Sequence, residues 1–184
     1  MKSLVVFSLI LLSTCCLAQE EVASGWVTRS GAWTAEGTRI HGHGSMMSAK
    51  TFGDFDLTFT LTYTKVESTK ACFAVLWCVE SKSLYPRYEF MMGFRGASSA
   101  SLSRGGKDKR DVTSLGQTTI PVSVARLRRA PFRVTKKGGA MRVCLGSKTL
   151  LKTQESDPLP AGYLAFQVPS ANEIILDDIR IKRL

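Results

Sequence analysis

The 184-residue chain has no second long hydrophobic run after its amino terminus. Its first eighteen residues contain Lys2, then about a dozen mostly apolar residues, then Cys16-Leu17-Ala18, which has the small-x-small pattern of a leader cleavage site. We therefore predict a signal peptide at residues 1–18 and an exported chain that begins near Gln19. A lipid anchor on Cys15 or Cys16 is the alternative, although the residues before each cysteine fit a lipobox poorly. No later segment has the roughly 20 apolar residues of a spanning helix, so we predict no membrane span.

Residues that bind metals are scarce. Three cysteines follow the predicted leader: Cys72, Cys78 and Cys144. Cys72 and Cys78 are six residues apart on one predicted strand, or about 20 Å, which is too far for a disulfide, so at most one of them can pair with Cys144. Free cysteine is among the most buried residue types, and three small buried side chains are the simpler interpretation. The spacings of a structural zinc site are absent, and we predict no metal and no cofactor.

Sustained helical periodicity is also absent, and the sequence instead alternates as β-strands do. Residues 55–64 place apolar side chains on one face and polar ones on the other, with period two. The run "KACFAVLWCVE" is apolar throughout, which indicates a central strand covered on both faces. In "YPRYEFMMGFR" the alternation returns. It sets Tyr88, Phe90, Met92 and Phe94 opposite Arg87, Glu89, Met91 and Arg95.

The carboxy-terminal third continues this pattern. Two strands meet at Lys137-Gly138-Gly139, a tight turn follows near Gly146, and two further strands flank Pro169-Ser170-Ala171-Asn172. Residues 19–184 contain no linker or internal repeat and have the length of a single domain. Many short strands separated by turns predict an all-β sandwich or barrel.

Several motifs resemble a concanavalin A-like jelly roll. They are the Trp-x-x-x-x-Gly-x-Trp pattern from Trp26 to Trp33, Phe-Gly-Asp-Phe-x-Leu from Phe52 to Leu57, and Gly162-x-Leu164 followed by a strand with Asp-Asp-Ile. More narrowly, the chain resembles the 3-keto-disaccharide hydrolase family and its laminin G-like relatives. The resemblance implies a two-sheet antiparallel jelly-roll sandwich whose concave sheet, or the loops at its rim, contacts carbohydrate.

The same resemblance suggests site residues. Tyr88-Glu89 matches a Tyr-Glu pair of that family, but the preceding strand lacks the glycine and the arginine that members often carry. Glu89 is therefore the candidate catalytic residue, and Arg87, Tyr88 and Arg95 are candidate ligand-binding residues. An ion pair with Arg87 or a neighbouring arginine is the structural alternative for Glu89. Ordinary glycoside hydrolysis requires two carboxylates, and no Glu-x-Asp-x-x-Glu run is present.

Both histidines of the chain lie in "HGHG", as His41 and His43. On an extended strand they face the same side, so they could share a metal, but no third ligand is identifiable. The interleaved glycines favour an extended edge or bend with solvated imidazoles. Contact with a glycan is the other alternative, and both residues are candidate ligand-binding residues.

Positive charge is concentrated in one part of the chain. There are 25 Lys and Arg residues against 15 Asp and Glu residues, and Lys2 is the only charged residue of the predicted leader. Between positions 104 and 142 lie eleven basic residues and two acidic ones. Such a segment can attract a polyanion, or it can simply keep the protein soluble. The candidate polyanion-binding residues are Arg126, Arg128, Arg129, Lys136 and Lys137.

Nucleic acid is the weaker candidate partner, because interleaved base-stacking aromatics and nucleic-acid motifs are missing. The sequence favours a secreted carbohydrate-binding domain that recognises an acidic or sulfated polysaccharide. A glycoside-processing enzyme of the 3-keto-disaccharide hydrolase type is the alternative. A protein-binding adhesive domain is the third class left open, because sandwiches serve many purposes.

Overall fold

A computed structural model describes residues 21–23, 25–66, 71–80, 83–93, 97–108 and 110–184. The predicted signal peptide, Phe94 and Arg95 lie outside these segments. The described residues form thirteen strands and one short 3-10 helix. The strands are β1 (Glu21–Ala23), β2 (Trp26–Glu36), β3 (Arg39–Phe52), β4 (Phe55–Val66), β5 (Phe73–Val79), β6 (Arg87–Met92), β7 (Ser99–Gly105), β8 (Val112–Thr119), β9 (Ala130–Lys137), β10 (Ala140–Leu145), β11 (Lys148–Gln154), β12 (Gly162–Val168) and β13 (Asn172–Arg183). The 3-10 helix covers Val124–Arg126.

The strands form one antiparallel ladder in the order β11-β10-β9-β4-β13-β3-β12-β5-β6-β7-β8, with β2 paired to β3. Strand β3 divides this ladder into two sheets, because residues 40–42 pair with β13 and residues 44–52 pair with β12. We call the part from β11 to the start of β3 sheet I, and the part from the end of β3 to β8 sheet II. The far ends of the ladder meet again where Gly116 of β8 lies against Leu151 of β11. The fold is the predicted two-sheet antiparallel jelly roll.

The change of sheet occurs at the glycines of the His-Gly-His-Gly segment. Gly42 and Gly44 have φ of 152° and 100°, and Gly31 on β2 has φ of 81°, values that favour glycine. Gly31 is the partner of Gly44, and the backbones approach so closely that a Cβ on Gly44 would lie 2.2 Å from the Ser30 carbonyl oxygen. Of the predicted edge or bend, the structure shows the bend and not the edge. β3 is paired on both sides, and its glycines allow the β2–β3 pair to bend from one sheet into the other.

The hydrophobic core lies between the two sheets and is rich in aromatic residues. The ring of Phe59 on β4 lies 5.4 Å from Phe132 on β9, 5.8 Å from Phe73 on β5 and 5.1 Å from Phe166 on β12, measured between centroids. The predicted alternation of residues 55–63 is confirmed, since the apolar side chains of that run are buried and the others are partly exposed. Every residue of β5 is buried, as predicted for a central strand.

Cys72, Cys78 and Cys144 are free thiols. Cys78 is buried, as predicted, whereas Cys72 and Cys144 are partly exposed. Within the described residues, no helix is long and apolar enough to cross a membrane.

Candidate functional site

The outer face of sheet II carries a line of mostly small or polar side chains that crosses six strands. Residues paired directly across neighbouring strands point to the same face of a sheet. Five successive pairings therefore place six residues in one row on one face: Ser45–Gln167, Gln167–Ala74, Ala74–Met91, Met91–Ser101 and Ser101–Gln117. We call Ser45, Gln167, Ala74, Met91, Ser101 and Gln117 the polar row. The next residues along these strands, including Phe166, Phe90 and Leu102, are buried in the core, so the polar row faces outward.

A second outward row runs beside the polar row and contains Glu89. It consists of Met47, Ala165, Leu76, Glu89, Ser103 and Ser114. At the β3 end of this row, Met47, Ala165 and Leu76 form a small buried apolar cluster with Met91 and Tyr163 packed against it. Glu89 therefore lies between an apolar half of the face and a hydroxyl-bearing half.

Glu89 is held by Arg87, two residues earlier on the same strand. The Arg87 Nη2 atom donates to Glu89 Oε2 at 2.8 Å, and the two side chains are only 12% and 11% exposed. The Arg87 guanidinium also lies over the Tyr85 ring, 4.3 Å from its centroid. The predicted ion pair is present, and both side chains are on the outer face. Glu89 is therefore an ion-paired group with limited solvent contact.

Tyr88 lies on the opposite side of β6 and is fully buried, so its assignment as a ligand-binding residue is wrong. Its hydroxyl donates to Glu155 and accepts a hydrogen bond from the Leu159 amide at 3.0 Å. Arg104 binds the same Glu155 carboxylate at 3.1 Å and the Asp157 carbonyl at 2.8 Å. Burial, followed by the bond to Glu155, raises the pKa of Tyr88. This network fixes the segment before β12 against sheet II.

Two grooves lie at the two ends of the polar row. One, of about 390 Å³, is lined by residues that include Ser45, Cys72, Ala74, Met91 and Gln167. The other, of about 360 Å³, is lined by Ser99, Ala100, Ser101, Gln117, Thr118 and Thr119. Burial raises the pKa of the Cys72 thiol to about 11, so this group stays protonated and uncharged at neutral pH. The first groove is therefore mainly apolar, with a few neutral hydroxyl, amide and thiol groups, whereas the second offers mainly neutral hydroxyl and amide groups.

Ser45, in the lining of the first groove, has a hydroxyl group without a hydrogen-bond partner among the described residues. Its side chain is 7% exposed. A buried hydroxyl without a partner is unfavourable. Neutral donors and acceptors beside apolar surface suit a polyhydroxylated ligand.

The histidines do not join this face. His41 lies in the part of β3 that pairs with β13 in sheet I, and its Nε2 atom is 3.5 Å from both Glu173 Oε2 and Thr64 Oγ1. His43 lies two residues further on, at the bend, opposite Ala32. No group of three His, Cys, Asp or Glu side chains that could hold a metal occurs within the described part of the chain.

The predicted polyanion-binding residues also lie away from the polar row. Arg126, Arg128 and Arg129 are exposed in and after the 3-10 helix, and Arg128 donates to the carbonyls of Ala125 and Leu127. Lys137 is exposed at the end of β9. Lys136 is not available at the surface, because it is 4% exposed with its ammonium 3.4 Å from Asp54 Oδ1. The prediction is therefore wrong for Lys136.

Sequence reasoning missed the neutral members of the polar row. Ser101 and Gln167 alternate with buried residues on β7 and β12, a pattern that the sequence displays. Their common row depends on strand order and register, which place β12 beside β5 across a long chain separation.

Comparison with known proteins supports the fold. Protein-family models give no match to the sequence, and neither do curated proteins. Among solved structures, the carbohydrate-binding module CBM66 from Bacillus subtilis is similar, with a TM-score of 0.67 and 13% identity over 86% of this chain and 95% of that one. A Bacillus subtilis protein of unknown function with a galectin-like fold gives a TM-score of 0.65 and 11% identity, over 86% and 89% of the two chains.

A Bacteroides ovatus GH16 protein of a mixed-linkage glucan locus, solved with a tetrasaccharide product, gives a TM-score of 0.61 and 7% identity, covering 83% of this chain and 85% of that one. At these identities the similarity establishes the fold. The chain therefore has the concanavalin A-like jelly-roll fold shared by carbohydrate-binding and glycoside-hydrolysing domains.

Proposed function

We propose that this protein is an exported carbohydrate-binding protein without catalytic activity, and that the polar row of sheet II contacts the sugar. The single observation that carries the proposal is the row itself, which crosses six strands between two grooves and contains the buried, unpartnered Ser45 hydroxyl. Structures with the same fold include a carbohydrate-binding module and a glucan-bound GH16 protein, which supports the same ligand class.

The state of Glu89 favours binding over hydrolysis. Hydrolysis of an ordinary glycoside uses two carboxylates about 5 to 10 Å apart. Among the described residues of the polar row and the row beside it, Glu89 is the one carboxylate, and Arg87 holds it in an ion pair. Such a carboxylate can accept hydrogen bonds from sugar hydroxyls through its remaining lone pairs.

We further propose that the preferred polymer is acidic or sulfated. The exposed residues Arg126, Arg128, Arg129 and Lys137 add positive charge that attracts such a polymer over about 10 Å at 0.1 M ionic strength. Export is part of the same proposal and follows from the predicted leader at residues 1–18.

A glycan array on the protein lacking residues 1–18 tests the binding, followed by titration calorimetry with the best ligand. Gln167→Ala should weaken binding by about 2- to 12-fold, as expected for one lost neutral hydrogen bond. Ser147→Ala is the matched control, because Ser147 is exposed in the turn between β10 and β11 of sheet I. Equal affinity of Gln167→Ala and the control would contradict the proposed face.

Glu89→Gln separates binding from catalysis, because glutamine keeps an acceptor for Arg87. We expect weaker sugar binding, a folded protein and no turnover of a 3-keto-glycoside in either form. A catalytic acid or base contributes about 10² to 10⁴ in rate. Turnover by the wild type that Glu89→Gln reduces by this factor would establish the alternative function, a hydrolase of the 3-keto-disaccharide type.

A further inference from the structure

The outer face of sheet I carries basic side chains that are scattered in the sequence. One outward row, read from β11 to β13, consists of Lys152, Arg142, Thr135, Asp56 and Lys182. The adjacent outward row consists of Thr149, Cys144, Arg133, Thr58 and Arg180. We call Lys152, Arg142, Arg133, Arg180 and Lys182 the basic face. All five side chains are exposed.

Positive charge dominates this face although acidic groups are present. Asp56 accepts two hydrogen bonds from Arg133, at 2.8 and 2.6 Å, and Asp178 lies near Arg180. Further along β13, Asp177 is bound by Arg39 at 2.8 Å. Asp56 is the one acidic residue in the row that contains Lys152, Arg142 and Lys182. It is already paired with Arg133, so it does not neutralise these three side chains. The face therefore presents uncompensated positive charge at both of its ends.

The spacing of these charges suits an extended polymer. Neighbouring strands lie about 4.8 Å apart, so the basic face spans about 19 Å from β11 to β13. Between Arg133 and Arg180, which are two strands apart, a groove of about 360 Å³ is lined by residues that include Thr58, Thr60 and Asp178. Arg133 already binds Asp56, so Arg180, beside the threonine hydroxyls, is the group that can bind an anionic substituent of such a polymer.

The composition of the face favours polysaccharide over other polyanions. Single-stranded nucleic acid binds by stacking its bases on aromatic rings, and a membrane surface is bound partly through apolar side chains. The exposed large hydrophobic side chains of the described residues are Val112, Val122 and Leu184. None of them is aromatic, and none belongs to the two rows.

From this arrangement we propose that the basic face is a second binding surface, distinct from the polar row, which binds a linear sulfated polysaccharide through its charge. The two surfaces cover the outer sides of opposite sheets, so they point in opposite directions. The proposal rests on the charges of sheet I and does not depend on sugar binding by sheet II.

Chromatography on immobilised heparin with a salt gradient is the test. Arg142→Ser/Lys152→Ser should elute at lower salt than wild type, with affinity about 3- to 10-fold weaker, as expected for two lost exposed ion contacts. The matched control is Lys107→Ser/Arg110→Ser, which removes the same charge from exposed positions between β7 and β8. It should elute close to wild type. Arg142→Lys/Lys152→Arg preserves the charge and should also elute with wild type.

Four outcomes would overturn the proposal: no retention of wild type, retention that does not depend on salt, an equal shift in the Lys107/Arg110 control, or no shift in the Arg142/Lys152 variant. Polyuridylate and phosphatidylglycerol vesicles are compared as ligands. If polyuridylate or the vesicles bind more strongly than heparin, and the Arg142/Lys152 variant loses this binding, the basic face binds that ligand and the polysaccharide proposal is overturned. Gln167→Ala removes no charge, so it should shift elution from heparin much less than Arg142→Ser/Lys152→Ser does, and failure of sugar binding at the polar row is distinguishable from failure here.

Discussion

Replacing Gly44 by alanine tests the bend that creates the two sheets. Alanine at a φ of 100° costs about 1 to 3 kcal/mol in backbone strain. Its Cβ would also lie 2.2 Å from the Ser30 carbonyl oxygen and 2.6 Å from the Gly31 Cα. A carbon–oxygen contact needs about 3.3 Å, so β2 and β3 would have to separate by about 1 Å and weaken their hydrogen bonds. We expect Gly44→Ala to reduce the free energy of unfolding by about 3 to 5 kcal/mol.

Urea denaturation followed by tryptophan fluorescence measures this loss, because Trp26 and Trp33 lie on β2 and are buried. Gly37→Ala is the control. Gly37 lies in the turn between β2 and β3 with φ of 60°, and a Cβ there would meet nothing within 4 Å. It should cost only the left-handed strain of about 1 to 2 kcal/mol. If Gly44→Ala costs no more than Gly37→Ala, the close approach of the two strands is refuted.

Two further predictions concern polar groups on the core side of the sheets. Tyr88→Phe should lower the free energy of unfolding by about 1 to 3 kcal/mol, because the Leu159 amide and Glu155 both lose a buried partner, and urea denaturation would show it. An unchanged transition midpoint would mean that this hydroxyl does not anchor the segment before β12. Lys136→Met should leave stability unchanged or raise it, since a buried ammonium with one partner at 3.4 Å gains little from its charge. It should also leave elution from heparin unchanged, and a shift to lower salt would return Lys136 to the binding surface.

The strands could be predicted because their signal is local. The alternation of residues 55–63 and the apolar run of β5 depend only on neighbouring residues, and both appear as expected. The two faces of β6 were also predicted. The alternation places Tyr88 on the core side, and the structure confirms this; its candidacy as a ligand-binding residue came from the family's Tyr-Glu pair alone.

The surfaces could not be predicted because they depend on register between distant strands. Lys152, Arg180 and Lys182 lie outside the basic stretch between positions 104 and 142, yet they share rows with Arg142 and Arg133. Conversely, Lys136 lies in that stretch but faces inward, because β9 alternates its side chains. Clustering in the sequence and clustering on the surface are different properties in a β-sheet protein.

The position of β13 has a consequence for how the chain folds. This last strand lies between β3 and β4 and pairs with both, so residue 176 meets residues 40 and 61. Until β13 is in place, β3 and β4 have no direct contact in sheet I, and the β4-β9-β10-β11 part is separate from the rest of that sheet. Contacts between such distant residues form slowly, because a long loop must close before any pairing compensates for the lost chain entropy. Sheet I is therefore completed only by β13, and the nascent protein keeps unpaired strand edges until residues 172–183 are available.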